Sequence, residues 1–166
     1  LRALRAAILT LVLMSAHTAD RWIVSSHVVS VSDGDTITVL DRAKVQHKVR
    51  LSGIDAPEKG QAFEGRAKDG LARFVFDREV KTVCHKRDRY GREVCRVFVG
   101  SQDAALAQLR AGLAWHYKRF EGEQPVEQRA RDSAAEEEAR ARRVGLWSDP
   151  RPVPPWEWRG SAVRPK

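Results

Sequence analysis

Cysteine, long apolar runs and acidic charge are all in short supply in this chain, and each shortage removes a class of function. There are two cysteines, Cys84 and Cys95, too far apart for a C-x-x-C redox pair or half of a zinc ribbon. The five histidines, at positions 17, 27, 47, 85 and 116, fall at no zinc-binding spacing. Neither a Walker loop nor a dinucleotide-binding glycine fingerprint occurs, so P-loop phosphoryl transfer and Rossmann redox chemistry are not expected. An EF-hand is excluded too, because Gly34 stands second in its acidic loop, whereas that motif needs glycine sixth and glutamate twelfth. The apolar run from Ala6 to Met14 is too short to cross a bilayer. There is no internal repeat.

The acid deficit is the informative one. Lys and Arg number 30 against 22 Asp and Glu, a formal charge of +8 with a pI near 10. A polyanionic partner is expected, nucleic acid ahead of an anionic membrane surface. At 166 residues the chain suits one domain with tails.

Residues 1–19 stand apart, with Arg2 and Arg5 before the apolar run and Ser15-Ala16-His17-Thr18-Ala19 after it. This order predicts an export signal, although cleavage after Ala19 would put His17 where a small residue is preferred. An uncleaved buried or anchoring helix is the other reading. Without the segment 28 basic residues face 22 acidic ones, and the charge is +6. The expectation is a periplasmic or secreted protein. In an oxidising compartment Cys84 and Cys95, which flank Asp88-Arg89-Tyr90-Gly91, face each other if that tetrapeptide is a hairpin tip. A disulfide and two packed free thiols both remain open.

The pattern of the rest is β-rich. His27 to Ser32 and Thr36 to Leu40 read as strands around an Asp-Gly hairpin turn, and Lys44 to Ile54 as a third. From Gln61 to Asp77 the period becomes helical, with Phe63, Ala67, Leu71, Phe74 and Val75 on one face. Gly65 and Gly70 weaken that helix, so packing must hold it. Val80 to Lys86 and Arg92 to Val99 form two more strands, followed by a short helix ending near Gly112 and a third helix from Val126 to Val144. The charge run of that last helix reads as a solvated face. Three strands, a helix, two strands and a helix is the order of a five-stranded oligonucleotide-binding barrel. The fold expected is mainly β with three helices, over residues 26–147. The Pro/Trp-rich tail, 148–166, is expected to be an extended arm, with Trp156 or Trp158 laid back on the barrel and a disordered end from Gly160.

Three separated pieces carry ionisable groups suited to phosphodiester chemistry. Asp33-Gly34-Asp35-Thr36 offers Asp35 on a tight turn. Val49 to Glu58 begins as a strand, breaks at Ala56-Pro57, and gathers Arg50, Asp55 and Glu58. Asp88-Arg89-Tyr90-Gly91-Arg92 is the third. Arginine suits phosphate oxygens, Asp is a hard ligand for calcium, and Glu is a general base.

From about Val28 to Tyr117, and more loosely to Trp147, these three spaced motifs make the chain resemble the thermonucleases, secreted calcium-dependent nucleases of the staphylococcal nuclease type. The resemblance implies that Asp35 and Asp55 are carboxylate ligands of Ca2+, with the main-chain carbonyl of Ala56 as a third ligand and Asp33 in the outer shell. Ala56 stands where the type member has threonine, so support from that hydroxyl is lost. It implies Glu58 as general base, Arg50 and Arg92 as the phosphoryl clamp, and Arg89 and Tyr90 as nucleotide contacts. Tyr117 falls either on a base-stacking position or on a core aromatic. His116 reads as structural or stacking. The loop after Glu58 is shorter than in the type member, so the pocket rim should differ.

The expected function is therefore a calcium-dependent endonuclease, cutting DNA and RNA at the 5′-O–P bond to leave 3′-phosphate ends, with single strands preferred. It is expected to act as a monomer. The alternative is a non-catalytic oligonucleotide-binding module, which would not need Asp35, Arg50, Asp55, Glu58 and Arg92 together.

Overall fold

The computed structural model describes residues 21–161; the expected export signal and the end of the tail lie outside the described residues. Strands β1 (Trp22–Val31), β2 (Thr36–Leu40) and β3 (Gln46–Leu51) form an antiparallel meander. After the short β4 (Ile54–Asp55), helix α1 (Glu64–Val75) leads into the hairpin of β5 (Glu79–Arg87) and β6 (Glu93–Val99). β5 pairs with β1, and β6 runs parallel to β3. Those two pairings close the five strands into a barrel, the oligonucleotide-binding fold.

Alternation along the strands sets the core. Val28, Ile37, Val39, Val49, Leu51 and Val97 point inward and are buried. Helix α1 adds Ala67, Leu71 and Val75 from one face, and Phe74 packs alongside. Gly70 has a packing reason, because a Cβ there would collide with Leu113, whereas Gly65 faces open space. Strand β7 (Gln102–Asp103) and helix α2 (Ala104–Arg110) follow, with the Asp103 side chain capping the helix at the Ala105 and Leu106 amides. Strand β8 (Trp115–His116) pairs with β4, and helix α3 (Val126–Ala141) packs over α2.

Four features differ from the sequence expectation. Among the described residues there are four α-helices, not three, plus 3₁₀ turns over Lys118–Glu123 and Gly145–Ser148. The fourth, α4 (Pro155–Gly160), lies in the tail expected to be extended. Its prolines sit at the helix start, where a missing N–H costs nothing and the fixed φ favours the first turn. The charge run of α3 is not all solvated, since Asp132 and Glu136 are 0 % and 3 % exposed. Arg96 on β6 holds Asp132 through two bonds, and Glu136 accepts from the His116 amide. Finally, Gly34 does not serve the hairpin turn through a positive φ. It is needed because a Cβ would lie 2.6 Å from the Ala67 Cβ and 2.7 Å from the Ala56 Cβ.

Candidate active site

The β1–β2 turn, the end of β3 and β4 meet at one mouth of the barrel. Thr36 pairs with Arg50 across β2 and β3, which places Asp35 beside the arginine. Arg50 Nη1 lies 3.1 Å from Asp35 Oδ2, and its Nη2 donates to Asp55 Oδ1 at 2.8 Å. The same guanidinium donates to the carbonyls of Leu51 and Ile54, which fixes its fork. Asp35 is fixed as well: Oδ2 accepts the Ala56 amide at 2.8 Å, and Oδ1 accepts the Thr36 hydroxyl. Asp33 Oδ1 accepts the Asp35 amide. Asp33, Asp35, Arg50, Asp55 and Ala56 thus form one bonded group, with Asp35 and Asp55 turned towards the same guanidinium.

The electrostatics of this group are unbalanced in a telling way. Burial, then the charge of Asp35, pushes the Asp33 carboxyl up to about 6. Burial also raises Asp55, against the pull of Arg159 and Arg50. For Arg50 burial opposes the charge, but Asp35 and Asp55 outweigh it and raise its pKa. Burial is the main reason both carboxyl groups stand above the ordinary range, and for Asp55 it prevails over two arginines. A hard divalent cation suits that donor set, with Asp35, Asp55 and the Ala56 carbonyl as the groups to hold it and Asp33 behind them.

Glu58 lies just past the proline break, and its side chain accepts from Arg159 Nη1. Arg159 also donates from Nη2 to Asp55 Oδ2 at 2.7 Å and from Nη1 to Oδ1 at 3.3 Å. Among the described residues the one trio of His, Cys, Asp or Glu ligand atoms within 4.8 Å of one another is Cys84, Glu93 and Cys95. There the sulfurs are joined to each other, a disulfide between directly opposed residues of β5 and β6. The oxygens of Asp35, Asp55 and Glu58 are spread more widely, around the guanidinium groups of Arg50 and Arg159.

The β5–β6 hairpin tip carries the third motif. Because β6 runs beside β3, with Val49 opposite Glu93 and Arg50 opposite Val94, Arg92 stands next to the start of β3. Its guanidinium is held by Asp88, Nε to Oδ2 at 2.7 Å, and lies over the Tyr90 ring. It is therefore bonded within its own hairpin instead of to the Asp35 and Asp55 group. Arg89 covers the same ring, which is 66 % exposed. Tyr117 is anchored by its amide to the Gly53 carbonyl, meets Phe120 edge-on and stacks on Trp156. It is a rim aromatic. His116 is buried, with Nε2 bonded to Gln124 Oε1, in a structural role.

Comparison with known proteins gives the family. A sequence model described as "Staphylococcal nuclease homologue" matches residues 48–149. The chain belongs to the staphylococcal nuclease family. Relatives within reach include a "Micrococcal nuclease" of Shigella flexneri, 40% identical over 96% of this chain and 91% of its own length. "Protein ParB" of Escherichia coli is 44% identical over 94% of this chain and 90% of its own. An "Uncharacterized endonuclease" of Haemophilus influenzae is 39% identical over 80% of this chain and 71% of its own.

Within this staphylococcal nuclease-family chain, Arg159 and Gln61 escaped the sequence reading, and Asp88 and Trp156 were named there without the contacts they make. Arg159 reaches back 104 residues to Asp55, and no local pattern marks it. Gln61 ties the Glu58 amide to the tail, accepting from it at 2.9 Å and donating to the Val153 carbonyl at 2.6 Å. Asp88 positions Arg92, a role legible only from the turn geometry. Trp156 or Trp158 was expected on the barrel; it is Trp156 that is seated, and its partner Tyr117 was not foreseen.

Proposed function

We propose that this protein is a calcium-dependent endonuclease that hydrolyses DNA and RNA, breaking the 5′-O–P bond to leave 3′-phosphate ends. The observation that carries the reading is the convergence of Asp35 and Asp55 on one guanidinium fork beside Glu58. Fixed carboxylates, a fixed arginine and a nearby carboxylate base are the parts that attack on a phosphodiester requires.

Water adds to phosphorus opposite the 5′ oxygen and gives its proton to Glu58. The P–O5′ bond then breaks, and the departing oxygen takes a proton from solvent. Charge on the phosphoryl oxygens grows on the way, so a guanidinium aimed at them stabilises the transition state more than the ground state. Arg50 is held in place for this, and Arg92, oriented by Asp88 through its Nε, supports it from the β5–β6 hairpin. Bound Ca2+ would supply further positive charge to the same oxygens. Recognition through charge and stacking, with Tyr90 and Tyr117 as platforms, supports action on either nucleic acid and a preference for single strands.

The Cys84–Cys95 disulfide supports work in an oxidising compartment, outside the cytoplasm. We take the working unit to be a monomer. The test is digestion of single-stranded DNA and RNA with Ca2+ or with chelator, followed by analysis of the ends. Calcium-dependent cutting that leaves 3′-phosphates is expected. Binding without cutting would favour a non-catalytic module.

A further inference from the structure

The last described segment, Val153 to Ser161, is fastened across the acidic mouth at three places. The Val153 carbonyl accepts from Gln61 Nε2 at 2.6 Å. The Trp156 ring stacks on Tyr117, with centroids 5.6 Å apart and planes 20° apart, and meets Trp115 edge-on. Arg159 binds both oxygens of Asp55 and one of Glu58. Between these points Pro154 and Pro155 are buried, so the segment is seated on the surface. A helix the length of α4 is too short to be stable alone, and these contacts are what hold it.

The Trp156 and Arg159 contacts take up groups that hydrolysis needs. Asp55 is on the cation side, Glu58 handles the attacking water, and Tyr117 offers a ring face to a base. Arg159 stands where a cation would be drawn, and Trp156 lies on Tyr117 as a nucleobase would. We propose that Val153–Ser161 is an intramolecular strap that imitates a bound cation and base, keeps the site closed, and must lift before metal and nucleic acid enter. The proposal rests on the nuclease reading above, in which Asp55 holds the cation and Glu58 the water.

Charge makes the two states exclusive. With Arg50 and Arg159 both against the carboxylates, a divalent cation would meet two guanidinium groups at contact distance. Removing Arg159 releases Asp55 Oδ2 and one oxygen of Glu58, while Asp55 Oδ1 keeps its bond to Arg50. A nucleic acid phosphate gives the displaced arginine a new partner, so substrate and metal pull in the same direction. A ligand that binds only the open form has its affinity reduced by the open fraction. A strap closed nine-tenths of the time weakens metal binding about tenfold on that basis.

The test is calorimetric titration of the full chain with CaCl2 alone, comparing wild type with Arg159→Gln and with Trp156→Ala. Each variant releases one fastening of the strap, and circular dichroism checks that both keep the barrel. Ca2+ affinity rising about tenfold in Arg159→Gln, and rising in Trp156→Ala, is expected. In wild type, Ca2+ should also speed tryptic cleavage after Arg159. Unchanged or weaker affinity in both variants would overturn the strap, as would a tail equally protected at saturating Ca2+. If Arg159 instead clamps phosphate, Arg159→Gln lowers kcat with Ca2+ affinity unchanged, and that also overturns it. Failure of the nuclease reading looks different: wild type then binds no Ca2+ and cuts no DNA.

Discussion

Arg96 on β6 and Asp132 on α3, 36 residues apart, meet in a two-bonded fork inside the protein, Nη1 to Oδ2 at 2.8 Å and Nη2 to Oδ1 at 3.0 Å. Arg96 also donates to Asp103 from Nε and to the Ser52 carbonyl, so it joins α3, the start of α2 and the end of β3. Burial lifts the Asp132 carboxyl above its ordinary range despite Arg96, which marks the pair as a constraint on geometry more than a source of stability. Breaking it should be costly because an arginine then stays buried with fewer partners. Asp132→Ala is expected to lower stability by about 3 kcal/mol in urea unfolding. Arg96→Met with Asp132→Leu should recover most of that loss. A single variant within about 0.5 kcal/mol of wild type would refute the role.

Asp88 and Arg92 make the parallel case at the site. One carboxylate accepts the Arg92 Nε, the Arg92 amide and the Tyr90 amide. Burial works against its charge, but those bonds prevail and hold its pKa below the ordinary range. Arg92→Ala should reduce kcat by at least ~10²-fold, as loss of one transition-state donor does elsewhere. Asp88→Asn keeps an acceptor but loosens the arginine, and about a tenfold fall in kcat with little change in KM is expected. Equal kcat in Asp88→Asn and wild type would remove Asp88 from the account.

Two histidines should titrate in opposite directions. His47 is raised, chiefly by its bond to Asp41, with burial opposing and Glu93 helping. His85 is lowered, chiefly by burial, against the pull of Glu123. The His47 contribution to stability is therefore full below the unfolded value near 6.5 and is lost as pH rises through its higher folded value. For His85 the sign reverses: its penalty grows as pH falls through 6.5 towards the lower folded value. NMR titration of the ring protons should place the His47 midpoint above that of His85. The reverse order would contradict the assigned contacts.

The barrel was legible because each strand alternates cleanly and each turn is punctuated. Val49 and Leu51 inward with Arg50 outward is a local pattern, and local patterns survive folding. The grouping of Asp33, Asp35, Arg50, Asp55 and Glu58 was legible for the same reason, since all sit on the turn and strand end that pairing brings together. Asp132 was not, because a charge on an amphipathic helix reads as solvated unless its partner is known, and Arg96 lies on a distant strand. Arg159 was hidden more deeply. Nothing next to it in sequence indicates that Pro154 and Pro155 start a helix aimed at the barrel mouth, or that Trp156 finds Tyr117.

Glu58 carries the central claim, that a carboxylate beside the acidic fork takes the proton from water. The direct measurement is the single-turnover rate of Glu58→Gln on a short single-stranded DNA at saturating Ca2+, with Ca2+ affinity measured alongside. General-base catalysis of this kind contributes ~10²–10⁴-fold. A rate loss in that range is expected, with Ca2+ binding largely kept because Asp35 and Asp55 remain. A variant that cuts as fast as wild type would contradict the account.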